Sequence, residues 1–178
     1  MGAGNALRSL ISDNASVPLI ISEGKCFCVL TEVESDYDFT VYNPPNDAII
    51  IKCDKFPTTG NVFFKGKNKE SKRADYVLVS ESEKVLMFFE LKRSKSSSSA
   101  KNVVAQLKGA KCIMDYCESI SSSFLNENRI FLGFEHKYYK GYYTSPQKRS
   151  FERKEEPDNR TPETARILRG KDAQFSSL

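Results

Sequence analysis

The sequence predicts a single α/β domain, and three observations lead there. Four short apolar runs between residues 17 and 53, separated by turn-forming residues, read as antiparallel strands. Residues 75–92 read as a β-hairpin around the polar stretch "SESE". From Ala100 to about Ser119 the apolar residues recur at helical spacing. A chain of 178 residues suits one domain and is short for two.

Ala6, Leu7, Leu10 and Ile11 are spaced for a short helix over residues 3–12. The runs "VPLIIS", "KCFCVLTEV", "DFTVY" and "AIIIKC" supply the strands, with "SEG", "ESDY" and "NPPND" as their turns. After the hairpin, "SKSSSSAKN" reads as a loop whose Ser98 or Ser99 caps the next helix. Val103, Leu107, Ala110, Met114 and Cys117 form the apolar stripe of that helix. "NRIFLGFE", residues 128–135, is apolar enough for a strand covered on both faces. In the polar remainder, Thr161 as cap, Pro162 at the first helical position and Gly170 as stop predict a short terminal helix. The expected organisation is a domain over residues 1–136 followed by a basic, partly ordered tail over 137–178. No internal repeat is visible.

Apolar residues make up 39 % and charged residues 28 % of the chain, a balance that suits a globular protein. No stretch approaches the roughly 20 apolar residues that span a bilayer. The first residues lack the long apolar run of a secretory signal, so a cytoplasmic location and no membrane partner are expected. Five cysteines, an odd number lying mostly in apolar runs, suit reduced, buried thiols. Cys26 and Cys28 form half a zinc site only with a second pair of ligands at metal spacing, and His136 is the only His; zinc is not expected. The net charge of +4 is uneven: residues 1–136 carry 17 basic and 17 acidic side chains, residues 137–178 carry 10 and 6. A second basic concentration, Lys65, Lys67, Lys69, Lys72 and Arg73, leads directly into Asp75. Such a loop is suited to the phosphates of a nucleic acid.

The stretch "RADYVLVSESEKVLMFFELKRSK", residues 73–95, carries the chemistry. With the turn near residues 81–83, paired positions sum to about 164–167, so Asp75 faces residues 89–92. Alternation places Glu90 and Lys92 on one face of their strand and Leu91 on the other. Two carboxylates and an ammonium then meet at one end of an apolar hairpin, where unpaired charge is expensive to bury. This combination suits metal-assisted phosphodiester hydrolysis, because Mg²⁺ takes one or two carboxylates from a protein and keeps several waters. Asp75 and Glu90 are the candidate ligands, and Lys92 the candidate group for orienting water or stabilising the phosphorane.

Asp75, fourteen intervening residues and Glu90-Leu91-Lys92 resemble the Asp and Glu-x-Lys signature of the PD-(D/E)xK nuclease superfamily. The resemblance covers about residues 62–135 and implies a restriction-endonuclease-like core, a mixed central β-sheet flanked by helices. It implies a metal-dependent endonuclease with Mg²⁺ or Mn²⁺ held by Asp75, Glu90 and the backbone carbonyl of Leu91. It favours DNA over RNA as partner. The same reading gives Lys65, Lys67, Lys69, Lys72, Arg73 and Arg93 to nucleic-acid binding. A homodimer would suit cleavage of both strands of a duplex. Ala74 replaces the Pro of the signature, and the family's frequent N-terminal acid has three candidates, Glu23, Glu32 and Glu34. The resemblance also matches Gln106 to the glutamine that RecB-like members use near the active site, although Ala110 stands where those members carry Tyr; the plain alternative is a helix-surface Gln. Two further functions stay open: a binding module of the same fold with an inactive site, and an RNA endonuclease. Members of the latter kind place a His among the metal ligands, whereas His136 lies outside the hairpin.

Overall fold

The structure, a computed structural model, describes residues 2–33, 36–57, 63–92, 99–142 and 158–178. Ten strands and two α-helices are described: α1 (Ala3–Leu10), β1 (Ser16–Val17), β2 (Ile20–Ser22), β3 (Lys25–Glu32), β4 (Tyr37–Tyr42), β5 (Ile49–Lys52), β6 (Tyr76–Ser80), β7 (Val85–Lys92), α2 (Ala100–Phe124), β8 (Glu135–Tyr142), β9 (Arg166–Arg169) and β10 (Asp172–Gln174). The α/β class is as expected. Six strands form one sheet in the order β1-β5-β6-β7-β8-β9, and four form a second, β10-β4-β3-β2. Both sheets are mixed. In the larger, pairings from β1 to β7 are antiparallel and β7-β8 and β8-β9 are parallel; in the smaller, only β10-β4 is parallel.

Alternation along the central strands divides the interior in two. Ile49, Ile51, Val77, Val79, Leu86 and Phe88 turn to the helices, where they meet Leu7 of α1 and Val103, Leu107, Ala110 and Met114 of α2. Ile50, Leu78, Met87, Phe89 and Leu91 turn the other way and pack on Leu30, Phe39 and Val41 of the smaller sheet. The larger sheet is thus sandwiched, which explains why seven of the eight residues of β7 are buried. No helix among the described residues is long and apolar enough to cross a membrane.

Local chemistry fixes the hairpin. The Asp47 carboxylate accepts the backbone N–H groups of Glu81 and Ser82 at 2.7 and 2.8 Å and the hydroxyls of Ser80 and Ser82 at 3.1 and 2.8 Å. These bonds outweigh burial and hold Asp47 below its usual pKa. Lys84 closes the turn with φ of +50°. At the start of α2, the Ser99 side chain accepts the Asn102 N–H at 3.3 Å, as expected for one of the two cap candidates; Ser98 lies outside the described residues.

The C-terminal part departs from expectation. Residues 128–134 are not a strand: Ile130 packs on Ala3 and Ala6, and Phe131 meets Phe134 edge-on at 5.7 Å, so this apolar run closes the ends of the helices. The strand begins at Glu135, where the backbone N–H donates to Lys84 O at 2.7 Å, and runs to Tyr142. A boundary after residue 136 therefore cuts through β8, a central strand. The terminal helix is replaced by a turn at Thr161–Thr164 and by β9, which pairs with β8 from Arg166 to Arg169. Sheet pairing overrides a capping signal worth only about 1 kcal/mol.

Gly109 of α2 is where the helix touches the loop leading to Asp75. A Cβ there would lie 1.6 Å from the carbonyl oxygen of Lys72, and backbone cannot yield as a side chain can. Gly109→Ala should therefore cost about 2 kcal/mol or more. A lower urea midpoint at unchanged slope is the expected reading.

Candidate functional site

The hairpin register places Tyr76 opposite Phe89, within the expected sums, so Asp75 continues the ladder opposite Glu90. The Asp75 N–H donates to Phe89 O at 3.2 Å. The Asp75 Oδ2 in turn accepts the Leu91 N–H at 2.6 Å. Glu90 extends the helix-facing row of Leu86 and Phe88, and Leu91 points into the opposite core, as alternation requires.

Glu90 is 0 % exposed, and neither carboxylate oxygen has a hydrogen bond of good geometry. Its companion is the Lys92 ammonium, which forms an ion pair with Oε1 and is 18 % exposed. Burial pushes Glu90 up to about pKa 7; the Lys92 charge resists this, Glu32 adds to it, and the Gln106 amide on α2 favours the ionised form. Burial and the facing Glu90 push Asp75 well above the usual carboxylate range, with the Leu91 N–H and Lys92 pulling the other way. Burial disfavours the Lys92 ammonium, but the charges of Glu90, Asp75 and Glu32 raise its pKa in balance. The site is a fully buried carboxylate, Glu90, beside a half-buried one, Asp75, with more negative potential than one lysine neutralises.

Five of the expected groups, Asp75, Glu90, Leu91, Lys92 and Gln106, therefore come together. Of the candidate N-terminal acids among the described residues, Glu23 and Glu32, Glu32 at the end of β3 is the one whose charge acts on the cluster. Glu23 lies in the turn before β3, and Glu34 is outside the described residues, as is Arg93. Sequence reasoning missed Tyr142. It stands beside Lys92 across the β7-β8 pair, and burial and Glu90 raise its pKa. The cluster of tyrosines in "HKYYKGY" was its signal. His136 pairs with Leu86, away from the acids, and burial and Lys111 lower its pKa.

The basic loop is only partly committed internally. The Lys69 ammonium is held by Asn102 Oδ1, and Arg73 Nη2 donates to Asp54 O at 3.3 Å. Lys67, Lys69, Lys72 and Arg73 line a groove against α2, while Lys65 stands outside its lining.

The donor set suits a hard divalent cation on one ground, that the fully buried Glu90 carboxylate faces a second carboxylate, Asp75, with a single lysine, Lys92, paired to it. Among the described residues no three His, Cys, Asp or Glu side chains lie close enough together to hold a metal, so a cation here would rest on two carboxylates, backbone and water. Four thiols, Cys26, Cys28, Cys53 and Cys117, are buried or half-buried, Cys112 is exposed, and none forms a disulfide. Comparison with protein-family models, curated proteins and solved structures finds no match in any of the three.

Proposed function

We propose that this chain is a metal-dependent nuclease of the PD-(D/E)xK kind, with a restriction-endonuclease-like core, cutting phosphodiester bonds in nucleic acid, DNA before RNA. The observation that carries the reading is Glu90: a fully buried carboxylate, ion-paired to Lys92 and set against a second acid, Asp75. Such a charge is costly to bury unless it has a function or a partner. Asp75, Glu90 and the Leu91 carbonyl would hold Mg²⁺ or Mn²⁺. When bound, the metal would lower the pKa of a coordinated water and neutralise charge on the scissile phosphate. Lys92 would orient that water or stabilise the phosphorane. Gln106 would favour the ionised form of Glu90, and Glu32 would add a further acid.

The test is incubation of purified protein with plasmid, linear duplex, single strands and RNA in Mg²⁺ or Mn²⁺. Cleavage that stops in EDTA is expected; cleavage unaffected by excess EDTA overturns the reading. One observation favours a non-catalytic binding module instead, namely that Lys92 already neutralises Glu90 without a metal. Thermal melting separates the two readings, since a cation that binds only the folded state raises the midpoint. No shift at millimolar Mn²⁺ would favour the module.

A further inference from the structure

We propose that the groove between the loop at residues 63–73 and the outer side of α2 binds unpaired, single-stranded nucleic acid, stacking bases on its aromatic rings and holding phosphates on its lysines. Delivery of that strand to Asp75 and Glu90 rests on the nuclease reading; binding itself does not.

The groove encloses about 950 Å³. Its rings are Phe56, Phe63, Phe64 and Tyr116. Phe63 is 77 % and Tyr116 53 % exposed, which places large apolar faces in water. A cluster of such rings on a globular surface marks a binding site. Phe63 meets Phe64 at 4.9 Å and Phe56 meets Tyr116 at 5.8 Å, both edge-on. Edge-to-face pairing leaves the faces of one ring in each pair open to a third ring.

The charge around these rings has one sign. Among the described residues, six lysines or arginines line the groove against a single acid, Glu70, whose carboxylate is taken by the Asn68 N–H at 3.1 Å. Lys67, Lys72 and Lys101 supply cations at its wall, whereas Lys108 pairs with Glu163 at 2.5 Å. Rings interleaved with cations match a strand whose bases are free to leave their own stack. A duplex keeps its bases stacked and offers phosphates and groove edges, so lysines alone would serve it. Arg73 lines the groove and stands two residues before Asp75 in the chain.

Fluorescence anisotropy with labelled oligo(dT), oligo(rU) and a blunt duplex of equal length, all in EDTA, tests binding without turnover. Single strands should bind at least about tenfold tighter than duplex, and Phe63→Ala and Tyr116→Ala should each lose about tenfold on single strands with little effect on duplex. Lys67→Ala with Lys101→Ala should weaken all arms and flatten the salt dependence. The two oligonucleotide arms tell DNA from RNA. Because both rings are exposed, unchanged melting of the variants is expected and excludes misfolding. Equal affinity for duplex, unaltered binding in the ring variants, or no binding in any arm overturns the proposal. Glu90→Gln separates the two readings: single-strand binding retained with cleavage lost supports both, and binding retained with cleavage unchanged removes the nuclease reading alone.

Discussion

Glu90→Gln is expected to reduce metal-dependent cleavage on the order of a thousandfold or more while leaving the protein folded. The substitution keeps the shape of a fully buried side chain and removes one negative charge, and the Lys92 ammonium it leaves behind is 18 % exposed and can turn to water. A structural carboxylate would behave differently, since removing a buried hydrogen-bonded acceptor destabilises the fold before it touches chemistry. Lys92→Ala should lower cleavage comparably, but it leaves Glu90 buried without its ion-pair partner and should also weaken the fold. The two variants together divide function from stability. Cleavage at wild-type rates in Glu90→Gln would remove the acid from the reaction.

The second large effect concerns pH in the absence of metal. Glu90 is raised from 4.5 to about 7, a preference for the protonated carboxyl of about 3 kcal/mol. Asp75 is displaced in the same direction by burial and by Glu90. For an acid whose folded pKa lies above its unfolded value, the stabilising contribution is complete below the unfolded pKa and disappears as pH rises through the folded one. Metal-free protein should therefore lose stability between about pH 4.5 and 7, the reverse of the usual behaviour of paired carboxylates. Asp75→Asn should be more stable than wild type at neutral pH in EDTA by on the order of 1 kcal/mol. The Asn side-chain oxygen can still accept the Leu91 N–H that Oδ2 accepts at 2.6 Å. Urea melts across this range decide the matter. A variant clearly weaker than wild type would make Asp75 a structural acceptor and take one of the two carboxylates away from the metal site.

The hairpin and its acids were legible because their determinants are local. The polar turn between two continuous apolar runs over residues 75–92 fixes a register, and the register sets Asp75 against Glu90. The long helix was legible for the same reason: each residue of the expected stripe is buried. Glu32 could only be one of three candidates, because its approach to the acids depends on how one sheet lies over the other, which no local pattern encodes. β8 was misplaced because two features competed. Apolar Ile130, Phe131 and Phe134 look like a strand interior but close the helix ends, while the true strand mixes lysines with its buried tyrosines. At β9, the Thr-Pro-Glu start is a genuine local turn, and only pairing with the distant β8 makes Arg166–Arg169 a strand.

The parallel β7-β8 pairing has a consequence for the route by which the protein folds. Phe89 meets Tyr76 thirteen positions back but Tyr139 fifty positions ahead. The hairpin can close early at little loop entropy, and the parallel strand with its crossover helix can dock only late. In that order Asp75 and Glu90 come together while still hydrated and ionised, and the docking of α2 and β8 strips their water. The electrostatic cost of the site then falls on the final docking step, so raising the pH should slow refolding by retarding that step, with a milder effect on the rate of opening.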